Sequence, residues 1–152
     1  MHALATLQSM RLAGAHQLPS RGAIARLQSE MVPIATAQPE PEHRFHPGWY
    51  ERRLLVPAGM LIVGKIHRHA HPVGVIYGRA LIVSEFGRDV VEAGYLAVSP
   101  AGVKRVVLAL EDTLFFTLHR NDSDTHDVEQ IEADHIEPEA LAVGANRMQV
   151  LQ

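Results

Sequence analysis

The sequence predicts an all-β domain, a small antiparallel barrel or sandwich, and three observations carry that expectation. Between residues 48 and 121 the runs LLVPAGMLIVGKIH, VGVIY, ALIVSEF, DVVEAGYLAVS, KRVVLAL and TLFFTLH are short, apolar and largely β-branched, the composition that suits a pleated, half-buried strand. Turn signals separate them: Pro57-Ala58-Gly59, Gly78, Phe86-Gly87-Arg88-Asp89, Pro100-Ala101-Gly102 and Glu111-Asp112. No helix of ordinary length fits between the runs, which argues against a parallel βαβ architecture. About seven or eight strands at this spacing suit a closed or double-sheet antiparallel fold.

The flanks read differently. Residues 1–47 form an N-terminal arm with two short helical patterns. Leu4 and Leu7 share one helix face; Ile24, Leu27 and Met31 share another, with Ser20 as its N-cap. Pro33, Pro39, Pro41 and Pro47 then impose extended backbone. No acid precedes Glu30, whereas Arg11, Arg21 and Arg26 are present; transit peptides share that bias, but a retained arm is expected. Residues 122–152 form an acidic loop, a short helix around Val128 and Ile131 capped by Asp124 or Thr125, and a tail, ALAVGANRMQVLQ, expected as a terminal strand or arm.

Composition sets limits on function. A chain of 152 residues suits one domain with one core. The absence of cysteine removes disulfides, thiolate metal sites and Cys nucleophiles. No apolar stretch is long enough for a membrane helix. A net charge of −3 argues against nucleic acid as a partner, because phosphate binding needs a concentrated basic surface. No phosphate loop, dinucleotide fingerprint, nucleophile elbow or H-E-x-x-H occurs. Asp122, Asp124 and Asp127 lack the glycine and closing glutamate of a calcium loop.

The ten histidines, against four Phe, three Tyr and one Trp, are the unusual feature. His67, His69 and His71 alternate in GKIHRHAH; on a strand all three imidazoles would project from one face. Mutual repulsion favours their neutral forms, which are the forms that bind a divalent transition metal. His119 ends TLFFTLH on the face of Thr113, Phe115 and Thr117; if that face lines the interior, His119 joins the set. The candidate metal ligands are therefore His67, His69, His71 and His119, for zinc, iron, manganese or nickel, with a metal-free polar patch as the alternative. Lys104 and Arg105, just after a glycine turn, are candidate contacts for an anion.

These residues resemble the cupin superfamily: clustered histidines lead to Gly78, and a second motif follows with Gly94, Pro100 and Gly102. The resemblance covers about residues 53–120 and implies a small cupin-type antiparallel barrel (jelly roll), often metal-binding and often dimeric. Counted back from Gly78, its first-motif histidine pair falls on Lys65 and His67 and its acidic ligand on His71, while Arg105 stands where a second-motif histidine is expected. GKIHRHAH, PAGVKRV and ALEDTLFFTLH together also resemble small cupin-like proteins encoded by tailed bacteriophages and prophages. That resemblance implies a non-enzymatic structural role in a virion (neck, tail, fibre attachment or capsid accessory), with residues 1–47 and 122–152 docking on neighbouring copies or other virion proteins, and location in the virion, or otherwise the cytoplasm. The alternatives are a metal-dependent cupin enzyme of dioxygenase or isomerase type on a small molecule, and a cupin that binds a sugar or other ligand without chemistry.

Overall fold

A computed structural model describes residues 17–31 and 39–139. The Leu4–Leu7 pattern and the ALAVGANRMQVLQ tail lie outside those residues. Two antiparallel sheets form the body. One contains β1 (Glu42–His46), β2 (Trp49–Val56), β9 (Thr113–Arg120), β4 (His71–Tyr77) and β7 (Leu96–Ser99), in the order β1-β2-β9-β4-β7. The other contains β3 (Leu61–Val63), β8 (Arg105–Ala109), β5 (Arg79–Ser84) and β6 (Arg88–Glu92), in the order β3-β8-β5-β6. Two helices accompany them, α1 (Arg21–Met31) and α2 (Val128–His135). Membrane-length apolar helices are absent among the described residues.

The strands form where alternation lets one face bury. Along β9, Thr113, Phe115, Thr117 and His119 are buried while Leu114, Phe116 and Leu118 are only partly so, which settles that the Thr/His face is the interior one. On β2 the inward positions are Tyr50, Arg52, Leu54 and Val56, and register pairs them with His119, Thr117, Phe115 and Thr113. Leu54, Val56, Val75, Val107 and Phe115 close the apolar core below that row.

The structure differs from the sequence reading at several places. β1 lies inside the stretch read as arm, and it is held to β2 over its whole length, from Glu42↔Arg53 to His46↔Trp49; the Pro47-Gly48 turn joins them as a hairpin, with Gly48 at φ 75°. α1 begins after Ser20, whose Oγ accepts from the N–H of Ala23 at 3.2 Å. Its Ile24 and Leu27 are fully enclosed against Val63 and Val106 on the outer face of the second sheet. α2 is capped by Asp127, not by Asp124 or Thr125. Thr125 instead caps the turn before it, accepting at Oγ1 from the Asp127 N–H at 3.1 Å, and Asp124 accepts at Oδ1 from the Gly48 N–H at 2.6 Å. These local roles use two of the acids that suggested calcium, and Asp122 pairs with Arg120 at 2.7 Å.

Candidate metal centre

GKIHRHAH is not a strand. Residues 64–70 follow an irregular path, with only an isolated bridge between His67 and Ile136, and β4 begins at His71. Long-range backbone bonds fix the path: Gly64 N–H to Arg105 O at 2.9 Å, Arg68 N–H to His135 O at 2.8 Å, and Gly102 N–H to His67 O at 2.8 Å. The two-residue alternation therefore fails, and the three histidines do not share a face. His67 and His71 turn inward and are buried, whereas His69 is exposed and its ring lies edge-on to His135 at 5.8 Å.

His119 reaches the same point from β9. The ring centroids of His67, His71 and His119 lie 4.1 to 5.1 Å apart, and one ring nitrogen from each falls within 4.8 Å of the other two. On one ion at the usual 2.0–2.1 Å, neighbouring ligand nitrogens sit roughly 3.0–3.4 Å apart, so small ring rotations close the set. Both the electrostatics and the hydrogen bonding favour lone pairs over protons here. Burial, then the neighbouring imidazoles, push His67 down to about 2 and His119 down to about 3. Burial also lowers His71, against a backbone hydrogen bond that raises it. The His71 Nδ1–H donates to the His69 carbonyl at 3.2 Å, and its buried Nε2 has no hydrogen-bond partner. An enclosed, unprotonated imidazole nitrogen beside two more neutral imidazoles is the donor set a divalent transition metal takes. The residues present thus fit such an ion, and His67, His71 and His119 would hold it.

Several groups around the three are not singled out by any sequence motif. Tyr50 is buried beside His119, ring centroids 6.1 Å apart. Its phenol is pushed up to about 12 by burial, and its O–H donates to Nδ1 of His43 at 2.6 Å. His135, at the end of α2, stands 5.1 Å from His119 and donates from Nε2 to the Arg120 carbonyl at 2.7 Å. Thr117 Oγ1 lies 3.1 Å from His119 Nε2. Only the shared parity of Tyr50 and Arg52 with Leu54 and Val56 marks them in the sequence.

The two candidate anion contacts part company. The Lys104 ammonium is held by both carboxylate oxygens of Glu139, at 2.6 and 2.7 Å. Arg105, on the inward parity of β8, crosses to the opposite sheet and donates from Nη2 to Ser99 Oγ. Ser99 is the register partner of His71, so Arg105 is anchored next to the histidines. It lines a cavity of about 20 Å³ with Arg52, Leu54, Val73, Phe115 and Thr117 among its walls.

No protein-family model matches the chain, and no curated protein matches it. Solved structures do match. The plu4264 protein of Photorhabdus luminescens superposes with a TM-score of 0.50 at 17% identity, over 65% of this chain and 89% of its own. Salicylate 1,2-dioxygenase from Pseudoaminobacter salicylatoxidans, solved as adducts with gentisate, superposes at 0.51 and 16% identity over 75% of this chain; the match spans 33% of that longer enzyme. A cupin-2 domain containing protein from Shewanella frigidimarina superposes at 0.47 and 14% identity, over 62% of this chain and 92% of its own. At these identities the likeness to the plu4264 protein and to salicylate 1,2-dioxygenase is one of fold alone, an antiparallel double-sheet jelly roll.

Proposed function

We propose that this protein is a metal-dependent cupin that holds one divalent transition-metal ion on His67, His71 and His119 and acts on a small molecule inside the barrel. The observation that carries the reading is the bare, enclosed Nε2 of His71 beside two histidines that burial keeps neutral. An ion bound there supplies Lewis acidity and open coordination positions. The chain's own residues do the rest: Thr117 positions His119, the His69 carbonyl fixes the His71 tautomer, and the apolar walls exclude bulk water.

The virion reading has the resemblance as its support. The described parts of both flanks are ordered by their own barrel: α1 through Ile24 and Leu27, and α2 through Ile131 and the Lys65–Glu132 pair at 2.8 Å. Docking on neighbours is not needed to explain their order.

The test is metal content. The full chain, stripped with a chelator and offered Zn²⁺, Fe²⁺, Mn²⁺, Ni²⁺ or Co²⁺ separately, is expected to retain about one ion per chain for at least one of them, and a His67→Ala/His71→Ala double variant to retain none. Substoichiometric binding of every ion by a folded wild-type protein overturns the reading.

A further inference from the structure

An antiparallel sheet with one face on the core ordinarily turns polar side chains outward. The outer face of the five-stranded sheet does not. Register fixes its rows. Leu55 on β2 lies opposite Leu114 on β9, and Leu114 opposite Tyr77 on β4. In the next row Phe116 lies opposite Gly74, and Gly74 opposite Leu96 on β7. Leu118 on β9 and the pair Pro72 and Val98 follow. A Cβ on Gly74 would lie 2.4 Å from the Phe116 ring, so that ring occupies the space above the glycine. Leu96 is 69% exposed, Val98 66% and Tyr77 45%. Charge is confined to the β2 margin, where Glu51 and Arg53 pair with each other. β7 is also the last strand of its sheet among the described residues, and its sequence, LAVS, has none of the charge or proline that guards a free edge.

We propose that this face is the interface of a homodimer, with a second copy of the chain seated on β9, β4 and β7 about a two-fold axis. An uncharged apolar centre with charge at its margin is the composition of a homodimer interface. Four strands about 4.8 Å apart and five positions of about 3.4 Å give this centre roughly 320 Å² of sheet. The rim around it, where Trp49 is 39% exposed, supplies the remainder of the roughly 800 Å² that a stable interface takes from each partner. The chain's own ends lie elsewhere. α1 packs on the outer face of the other sheet, against Val63 and Val106. The described chain ends at Glu139, whose carboxylate holds Lys104 just before β8 of that same sheet. Residues 1–16 and 140–152 thus join the domain on the side of the four-stranded sheet, which favours a second copy over either segment as the cover. Thr117 and His119 project from the opposite face of β9, so the interface leaves the histidine centre free and stands with or without a metal there.

Sedimentation equilibrium of the full chain tests the interface. The wild type is expected to be a dimer at micromolar concentration. Leu96→Lys/Val98→Lys sets like charges against an apolar partner face and is expected to weaken the dimer by at least about a hundredfold. The milder Leu96→Ala/Val98→Ala is expected to weaken it by at least about tenfold. Far-UV circular dichroism reports whether each folds, and should the lysine variant unfold, the alanine variant decides. Phe86→Lys/Val90→Lys, on the exposed β5–β6 hairpin of the other sheet, is the control and is expected to leave the dimer intact. A monomeric wild type overturns the proposal and leaves the face to residues 1–16, to residues 140–152 or to a different protein. A dimer that the folded Leu96 and Val98 variants do not weaken overturns it as well, because the contact then lies on another surface.

Discussion

The Nδ1–H of His71 donates to the main-chain carbonyl oxygen of His69 across 3.2 Å, and this contact decides which nitrogen of His71 is left with a lone pair. With Nδ1 protonated, Nε2 must be bare, and Nε2 is the atom enclosed without a partner. His69 thus serves the site through its backbone while its imidazole is exposed. Replacement of that imidazole should be silent: His69→Ala is expected to keep the metal stoichiometry of the wild type, whereas His71→Ala loses the ion. Elemental analysis of the two purified variants checks this, and loss of the ion from His69→Ala would restore it as a ligand.

Acid should unfold the metal-free protein early. His67 and His119 are held to about 2 and about 3 in the folded chain against 6.5 for the free side chain. A histidine lowered by folding is neutral in the folded state while the unfolded chain takes up protons below 6.5, so stability falls as pH drops through that value. Two such groups cost about 3 kcal/mol between pH 6.5 and 5. Urea midpoints of the metal-free chain across that window are expected to fall, and to fall much less in the His67→Ala/His119→Ala double variant.

Strand positions were readable because a sheet with one buried face enforces a period of two: Phe115 and Thr117 could be placed on His119's face before the interior was known. The same rule misled at residues 64–70. That path is specified by bonds to Arg105, Gly102 and His135, all far along the chain, and local periodicity carries no trace of them. Arg52 illustrates a different limit. Its parity was available, but that Arg105 lines the same small cavity from the facing sheet was not, since only the closed barrel brings the two together. His135 was equally invisible, since α2 brings it to His119 through backbone bonds to residues 66–68.

Helix α1 is part of the domain. Leu27 is wholly enclosed with Ile24 against Val63 and Val106. Leu27→Ala should cost about 2–5 kcal/mol, the usual range for emptying a buried leucine site. Because α1 packs on the outer face of β3 and β8, metal stoichiometry should be unchanged. Denaturant unfolding together with metal analysis checks both halves.

Two glycines separate conformational strain from steric exclusion. Gly59 and Gly78 both have positive φ, 82° and 87°. A Cβ on Gly59 would meet nothing within 4 Å, whereas one on Gly78 would lie 2.2 Å from the Asp112 carbonyl oxygen. Gly59→Ala should therefore cost only the left-handed penalty of about 1–2 kcal/mol. Gly78→Ala should cost more than that, since the Asp112 backbone must move as well. Equal losses in thermal unfolding would show that the contact at Gly78 relaxes freely.

The Lys104–Glu139 pair should behave as a buried ammonium with one counter-charge. The Lys104 side chain is 2% exposed and that of Glu139 21%. Glu139→Gln leaves the ammonium enclosed and uncompensated, at a cost of about 1–3 kcal/mol, with Glu139's partial exposure keeping it below the fully buried limit. Lys104→Met removes the enclosed charge and leaves only the Glu139 carboxylate, which is partly exposed, so it should cost less. Burial already lowers Lys104 from 10.5, and Glu139 opposes that shift. Without Glu139 the lysine falls further, so between its folded value and 10.5 the unfolded chain binds more protons than the folded one. Stability then rises with pH in that interval. The deficit of Glu139→Gln is expected to narrow as pH rises toward 10.5, and a deficit that stays constant across alkaline pH would mean that Lys104 is not the group Glu139 compensates.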